Sequence, residues 1–366
     1  MIKIREYLSQ FQCIGSDCPD PCCSGWNVPV DKEDRQRLLS VMSVSEEEEL
    51  IDDSSISRMR TQNGRCIKQC DNGLCSLQAE FGHDILPNVC ASYPRFRGVH
   101  SQGEELGAFL SCPEIVNLML EHGDELRNCV VRPRAVLDID CSQSDSHYEI
   151  DFLQVRTWFA ERIDTAQSVD QLFSKIASVV SLSPAFFHRT SGRWQDISTR
   201  PTFLLPELSK DERMQKGKQA YESFRECIRT FAKHGWPYPK PMARLQKALE
   251  GNIREEFPCE EWMLAYLRHD WNVRWYVHSP NLLFHWQSSL FKVVLIRLLY
   301  AQGKPQQNQR ERFVDAVYST ERLVEHTSLK RDVCFMYNQP WHFSQWCSAF
   351  LSAQTEHFLW EIIGKD

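Results

Sequence analysis

Phe11-Gln-Cys-Ile-Gly-Ser-Asp-Cys-Pro-Asp-Pro-Cys-Cys-Ser-Gly-Trp26 places four cysteines among residues typical of tight turns. Further cysteines follow at positions 66, 70, 75, 90 and 112. So many thiols in a segment rich in Gly, Pro, Asp and Asn favour ligands that converge on a metal centre. Cys22 and Cys23 are adjacent, and a disulfide between neighbouring residues distorts the backbone. The sequence therefore predicts a metal-binding module.

Disulfides are the other common use of clustered cysteines, but they belong to oxidising compartments. Residues 1–30 contain no apolar run typical of a secretory signal, so we expect a cytoplasmic protein. In that compartment clustered thiols are more often metal ligands or redox groups. The total of 15 cysteines is odd, which also disfavours complete pairing.

Length and composition narrow the classes of partner. A chain of 366 residues exceeds a typical single domain, and 42% hydrophobic residues suffice for a sizeable core. The net charge of −7 disfavours a general nucleic-acid binder, which normally carries a basic excess. The longest apolar stretch, Leu290 to Tyr300, contains Lys292 and Arg297 and is too short to span a bilayer. We expect neither a nucleic-acid nor a membrane partner.

The chain divides into two differently composed halves. Nine of the 15 cysteines precede residue 125, whereas ten of the 11 tryptophans follow residue 157. We predict a mainly α protein, with a loop-rich cysteine-cluster module at 1–128, a linker at 129–148 and an all-α helical domain at 149–366. The linker contains a possible extended stretch at Val130 to Ile139. The module shows no core pattern of its own, so we expect bound metal to supply its folding energy.

Apolar residues three and four apart predict the helices. In the first half, Asp31 is a predicted N-cap, and Cys112-Pro113-Glu114 is a predicted helix start. The acidic run Glu46 to Glu49 is interpreted as a solvent-facing helix surface. The second half is predicted to contain helices at Phe152 to Ile163, Val169 to Val180, Gln215 to His234, Met242 to Phe257, Cys259 to Val277, Leu282 to Gln302, Asn308 to Thr327 and Trp341 to Ile363.

Cysteine spacing decides which metal chemistry is plausible. A zinc ribbon presents two Cys-x-x-Cys knuckles, and this sequence has none. Cys18-x3-Cys22 begins like the three-cysteine loop of radical S-adenosylmethionine enzymes, but Gly25 occupies the third position. The radical motif is therefore absent. Ligands drawn from several loops are common in iron-sulfur proteins, and spacing alone leaves zinc open.

Five short motifs resemble one known family. They are Phe11-x-Cys13-x-Gly-Ser-x-Cys18-x3-Cys22-Cys23-x-Gly-Trp26, Gly64-x-Cys66, Leu74-Cys75, Cys90-x-Ser-x-Pro-Arg95 and Leu110-Ser-Cys112-Pro-Glu114. Their order over residues 10–115 is similar to that of the flagellin lysine N-methylase family. The helical remainder resembles the family more loosely. A broader set of zinc- or iron-chelating cysteine-cluster proteins shares much of the first motif.

The resemblance implies a protein-lysine N-methyltransferase that transfers methyl groups from S-adenosylmethionine to surface lysines of flagellin and carries a [4Fe-4S] cluster. It also implies the family's eight metal-site cysteines, which are Cys13, Cys18, Cys22, Cys23, Cys66, Cys75, Cys90 and Cys112. One cubane needs four ligands, so some of the eight serve another purpose. Cys70 is an additional cysteine, either a free thiol or a substitute ligand.

Methylation of lysine is a displacement by a neutral amine, so the enzyme aligns the reactants and removes a proton. Isolated glycines give no Rossmann-type loop for the donor. Trp26 and Arg95 are candidates for donor binding, by cation-π attraction and by pairing a carboxylate. Tyr93 and Glu114 are weak candidates for the catalytic proton acceptor.

Two other functions remain open at this point. One is a non-catalytic zinc- or iron-binding protein, and the other is an iron-sulfur redox protein. Zinc is colourless and redox-inert, whereas an iron-sulfur cluster is brown and bleaches on reduction. Binding of S-adenosylmethionine separates a methylase from a redox protein.

Overall fold

The protein is mainly α in the computed structural model. The structure describes residues 2–25, 28–54, 56–100, 103–122, 129–132, 149–169, 171–172, 238–250, 260–274 and 282–326, with eight single positions between 209 and 229. Its helices are α1 (Lys32–Leu39), α2 (Val44–Leu50), α3 (Ser76–Phe81), α4 (Asn88–Ser92), α5 (Pro113–Glu121), α6 (Glu149–Thr165), α7 (Pro239–Glu250), α8 (Glu260–His269), α9 (Leu282–Ala301) and α10 (Gln309–Glu325).

Within the described residues, eight short strands lie between residues 2 and 132. They are β1 (Ile2–Arg5), β2 (Ile51–Asp52), β3 (Arg58–Met59), β4 (Thr61–Gln62), β5 (Arg65–Cys66), β6 (Arg95–His100), β7 (Gly103–Ala108) and β8 (Cys129–Arg132). The largest sheet has the order β6-β7-β1-β8, with β1 parallel to β7 and antiparallel to β8. β2 pairs with β3 and β4 with β5, both antiparallel. β8 lies in the expected linker, where the sequence indicated an extended stretch.

The cysteine-rich module has a small hydrophobic core of its own, which corrects the expectation that metal alone organises it. Leu38 of α1, Leu50 of α2 and Leu77 of α3 are at most 2% exposed and belong to this core. Cys66, Cys75 and Cys90 are half-buried and pack against it. A nine-residue apolar cluster therefore already positions three of the predicted ligands.

A second and larger core joins the two halves. Tyr7, which follows β1, and Ile115 of α5 are fully buried in the same cluster as Phe159 of α6 and Leu295 of α9. α5 packs against both α8 and α10, and α9 packs against α7 and α10. The division at 1–128, 129–148 and 149–366 stays a prediction, but the apolar core crosses it.

A buried ionic cluster lies inside the helical part. The Lys292 ammonium on α9 lies 2.7 Å from Asp270, 2.9 Å from Glu325 and 3.4 Å from Glu321. Lys292 and Asp270 side chains are each 1% exposed. Tyr266 of α8 donates a hydrogen bond to Glu321 at 2.7 Å. This cluster joins α8, α9 and α10, and loss of Lys292 would leave its buried carboxylates without their counter-charge.

Several helix predictions are confirmed within a few residues. α1 begins after Asp31, whose carboxylate accepts from Asp34 N at 2.7 Å in a capping box, and α5 begins at Pro113. Glu47, expected at a solvent-facing surface, is instead buried and pairs with Arg35 at 2.5 Å. None of the helices within the described residues has the length and apolar character needed to cross a membrane. The helix predicted at 341–363 lies outside those residues, as do the parts of other predicted helices at 173–180 and 251–259.

Candidate functional site

The first cysteine loop is fastened to the hairpin β4–β5. The backbone N–H of Cys66 donates to the carbonyl of Cys23 at 3.0 Å, and Gly25 N donates to Gly64 O at 2.8 Å. The Cys18 thiol donates to the carbonyl of Asp20 at 3.3 Å, which closes the turn before Cys22. Two motifs separated by more than forty residues therefore meet, and they bring Cys22 and Cys23 to Cys66.

A second loop, from Cys66 to Cys75, lies against the first. Cys70 N donates to Leu74 O at 2.8 Å, and Gly73 N donates to Cys70 O at 2.9 Å. Gly73 has φ +84°, and a Cβ added there would lie 3.2 Å from Pro21 Cγ. Only glycine combines this left-handed conformation with the close approach of the two loops. The approach places Cys75 beside the Cys22–Cys23 pair.

Helix α4 contributes Cys90. Asn88 N donates to the buried Asp34 carboxylate of α1 at 2.9 Å, so α1 holds the start of α4 in place. Burial raises the pKa of the Cys90 thiol, and the nearby thiols of Cys66, Cys22 and Cys75 raise it further. Cys90 is thus the point at which the three cysteine-bearing segments meet.

Five thiols make up this inner thiol group, defined as Cys22, Cys23, Cys66, Cys75 and Cys90. A hydrogen bond between the Cys22 and Cys23 thiols lowers the pKa of Cys22 to about 7 and raises that of Cys23, which Cys75 and Cys90 also raise. Burial, with a smaller contribution from Cys75, raises the pKa of Cys66. Crowded thiols disfavour one another's thiolate forms, and a bound cation removes that penalty.

The inner thiol group fits a soft metal by its donor chemistry. All five donors are sulfur, the ligand type that zinc and iron-sulfur clusters prefer. Within the described residues, no three His, Cys, Asp or Glu side chains are already arranged to hold a metal ion. The nine cysteines from Cys13 to Cys112 are all free thiols. The thiols thus lie near enough to influence one another's pKa, whereas their role as metal ligands stays a prediction.

Cys18 and Cys112 form a second group next to Cys22. Burial raises the pKa of Cys112 to about 12, and Cys18 and Cys22 contribute to that rise. Cys112 immediately precedes α5, a rigid helix in the larger core. Cys13 is more peripheral, because its exposed sulfur accepts from Gly15 N at 3.4 Å. Cys70 is exposed as well.

Arg322 of α10 anchors the first cysteine loop to the helical part. Its guanidinium donates to the Asp20 carbonyl at 2.6 Å and lies 2.5 Å from the Asp20 carboxylate. It also donates to the carbonyl of Ser111 at 3.2 Å, just before Cys112. The Arg322 side chain is 3% exposed and lies 5.6 Å and 5.7 Å from the ring centres of Tyr318 and Tyr238. Arg322 was not among the residues predicted from the sequence.

One signal in the sequence pointed to Arg322. It continues the four-residue series Val314, Tyr318, Arg322 on α10, so a charge occupies a core-facing stripe. A buried arginine requires polar partners, and α10 itself supplies none of the three oxygen contacts that Arg322 makes. Asp20 carries the partner carboxylate. Burial raises the pKa of Asp20, and Arg322 opposes that rise.

Tyr93 lies near Arg322 and forms a hydrogen-bonded chain with Ser111 and His326. Its hydroxyl lies 2.9 Å from Ser111 Oγ, which lies 2.7 Å from Nε2 of His326. The Tyr93 ring stacks on Phe109 with centroids 6.4 Å apart. Burial raises the pKa of Tyr93, with Cys112 the next contributor. Tyr93, one of the two weak candidates for the catalytic proton acceptor, therefore lies beside the Cys112 thiol.

Three further residues were predicted to belong to the site, namely Arg95, Glu114 and Trp26. Arg95 Nε is buried without a hydrogen-bond partner among the described residues, and its guanidinium lies 5.9 Å from the Phe11 ring centre. Burial lowers the pKa of Arg95. Glu114 is half-buried in the first turn of α5 and accepts from Asn117 at 3.3 Å. Trp26 lies outside the described residues.

Comparison with known proteins finds a weak similarity over 130 residues, which are 33% of this chain. The flagellar biosynthetic protein FliU of Salmonella muenchen is 24% identical over a segment that covers 77% of its length. The lysine-N-methylases of Salmonella typhimurium and Salmonella choleraesuis are also 24% identical, and the segment covers 32% of each. No protein-family model matches the chain. No solved structure matches it either.

Proposed function

We propose that this protein is a protein-lysine N-methyltransferase that uses S-adenosylmethionine, acts on surface lysines of flagellin and carries a [4Fe-4S] cluster. The observation that carries the proposal is the 130-residue similarity to proteins named lysine-N-methylase. Similarity to a protein named for flagellar biosynthesis supports flagellin as the substrate. We also propose that it acts in the cytoplasm.

The inner thiol group is the expected position of the cluster. Four of its five thiolates suffice for one cubane, and three of them pack against the small apolar core. With four thiolate ligands the cluster would carry a net negative charge, which would favour a sulfonium cation in its neighbourhood. Cys18 and Cys112 lie next to this group, and Cys13 lies farther out in the first loop. We assign these three to a structural role or to a second site.

Arg95 is the residue best suited to hold the donor's carboxylate. Its Nε is buried with no hydrogen-bond partner among the described residues, so the guanidinium retains donors for an anion. A charge-assisted hydrogen bond to a carboxylate is about twice as strong as a neutral one. Arg95 begins β6, three residues after α4, and α4 carries Cys90. The donor's methyl group would thus be held close to the thiols.

Methyl transfer then proceeds by displacement. The neutral lysine nitrogen forms a bond to the donor methyl carbon, the sulfur–methyl bond breaks, and its electron pair stays on sulfur. The products are S-adenosylhomocysteine and a methylammonium, which carries the positive charge that the sulfonium had. No oxidant or reductant enters this step. The protein contributes alignment of the three atoms and removal of a proton from the substrate ammonium.

The test is mass spectrometry of flagellin after incubation with the protein and S-adenosylmethionine. We expect mass increments of one methyl group or more on lysine, with S-adenosylhomocysteine formed in equal amount. A Cys66→Ser, Cys90→Ser double variant should lose the activity, and a Cys70→Ser variant should retain it. Unmodified flagellin with wild-type protein that has its full metal content would contradict the proposal and favour a metal-binding or redox function.

A further inference from the structure

Strand β6 lies at the edge of the largest sheet, and within the described residues only β7 pairs with it. Phe109 N donates to Pro94 O at 2.8 Å, in the register that the β6–β7 ladder continues. Hydrogen-bonded and non-hydrogen-bonded pairs alternate along an antiparallel ladder. Because Pro94 and Phe109 form a hydrogen-bonded pair, Arg95 and Arg97 direct their backbone N–H and C=O groups away from β7.

The edge of β6 that faces away from β7 is regular. The register with β7 continues without a bulge over six residue pairs, and the strand sequence, Arg-Phe-Arg-Gly-Val-His, contains neither Pro nor Lys. Proteins usually block an exposed edge strand with those residues or with a bulge, because unpaired backbone groups are a template for another strand. β6 therefore offers a site for main-chain pairing.

The side chains of Arg95 and Arg97 add positive charge to this edge. They are two residues apart and lie on one face of the sheet, opposite the buried apolar residues Ala108 and Leu106 of β7. Nε of each arginine is buried without a hydrogen-bond partner among the described residues. Arg97 lies 3.8 Å from Glu104, which is longer than a hydrogen bond. The Arg97 side chain is 11% exposed and Arg95 is half-buried, so solvent reaches both.

We propose that β6 binds an extended segment of the protein substrate as an added strand, in which an acidic side chain pairs with Arg97. This inference rests on the proposed methyltransferase function and adds the sequence that surrounds the target lysine. In this mode of binding, main-chain hydrogen bonds supply affinity and alternate side chains supply specificity. A small anion would use the guanidiniums and leave the backbone groups unpaired, whereas an acidic extended segment uses both.

The geometry of strand pairing sets the spacing within the substrate. An added strand lies about 4.8 Å from its neighbour, and its residues opposite Arg95 and Arg97 are two positions apart on the same face. Arg95 is assigned above to the donor's carboxylate, so the donor is held at that end of the pair. The target lysine is therefore expected opposite Arg95, with Asp or Glu two residues away opposite Arg97. Strand direction decides whether the acidic residue precedes or follows the lysine.

The first experiment measures kcat/KM for methylation of three short synthetic peptides, each with a single lysine. One peptide has Asp two positions before the lysine, one has Asp two positions after it, and one has Ser at both positions. We expect one acidic peptide to be favoured over the Ser peptide about tenfold, the effect of one charge-assisted hydrogen bond. Arg97→Met should abolish this preference. Arg310→Met, which removes an exposed arginine of α10, is the control and should keep it.

The second experiment tests the main-chain pairing with the wild-type protein, so it does not depend on a variant that folds. Backbone N–H groups of successive residues in a strand point alternately toward and away from the neighbouring strand. N-methylation of successive peptide bonds in the favoured peptide should therefore lower kcat/KM about tenfold at alternate positions and far less at the positions between them.

Equal kcat/KM for the acidic and Ser peptides, or a preference that survives Arg97→Met, would overturn the proposal. Losses that do not alternate would overturn it too, and together with a dimer in solution they would assign the edge to a second copy of the chain. In each case methyl transfer to lysine leaves the proposed function intact.

Flagellin itself replaces the peptides if it is methylated and they are not. Methylated lysines that lack an acidic residue two positions away, or whose methylation survives replacement of that residue by Ser, would overturn the proposal. Wild-type protein that methylates neither flagellin nor any peptide would overturn the proposed function as well.

Discussion

Replacing Arg322 by Met tests the junction between the cysteine loop and the helical part. The change removes a guanidinium that is 3% exposed and leaves the Asp20 carboxylate, 28% exposed, without its ion pair. It also leaves two backbone carbonyls, of Asp20 and Ser111, without their donor. Loss of one partner of a buried ion pair costs about 3–5 kcal/mol. Because Asp20 is partly exposed to water, we expect the lower end of that range, a loss of about 3 kcal/mol in the free energy of unfolding.

The assay is urea denaturation followed by tryptophan fluorescence, in a double-mutant cycle with Asp20→Asn. We expect a coupling energy of about 2 kcal/mol between Arg322 and Asp20, because each single change removes the same ion pair. Arg310→Met is the matched control. Arg310 lies on the same helix and pairs with Glu121 at 2.7 Å, but both side chains are at least 40% exposed. Its loss should cost about 1 kcal/mol or less.

Additive effects of Arg322→Met and Asp20→Asn would refute this reasoning, since they would mean that the ion pair contributes nothing by itself. A loss for Arg310→Met as large as that for Arg322→Met would refute it too, because burial would then not matter. In both cases the loop that carries Cys18 and Cys22 would be held mainly by its bonds to β5.

Three further changes have defined outcomes. Lys292→Met should lower the free energy of unfolding by about 3–5 kcal/mol in urea denaturation, since it leaves buried carboxylates without their ammonium. Arg95→Met should weaken binding of S-adenosylmethionine about tenfold in calorimetry, because a charge-assisted hydrogen bond is lost. Arg97→Met is the control: it removes a 3.8 Å contact with Glu104 and should leave that binding unchanged. Gly73→Val should lower stability by about 1–3 kcal/mol in thermal denaturation, because a β-branched residue has strain at φ +84° and contacts Pro21.

Local features were predictable from the sequence because their causes are local. The capping box that starts α1 needs only Asp31 and Asp34, three residues apart. The start of α5 needs only a proline in the first turn. α9 and α10 end within a few residues of their predicted limits, since apolar periodicity marks a helix of 17 or 20 residues clearly.

Long-range features were not predictable in the same way. The strand β1 pairs with β7 about a hundred residues later, and both are too short to give a clear pattern. Arg322 contacts a residue 302 positions away, and no periodicity encodes that partner. The cysteines were recognised as a group because their residue type alone restricts their chemistry. Which five converge depends on the hairpin, the Gly73 turn and α4, and only the fold shows it.

The iron and sulfide content of protein purified without oxygen will show whether the inner thiol group holds an iron-sulfur cluster. We expect about four iron and four sulfide per chain. Cys66→Ser and Cys90→Ser should lower both values, because both thiols belong to the inner thiol group and pack against the small core. Cys70→Ser should leave them unchanged. Zinc in place of iron, or iron content that is the same in all three variants, would show that the inner thiol group does not hold this cluster.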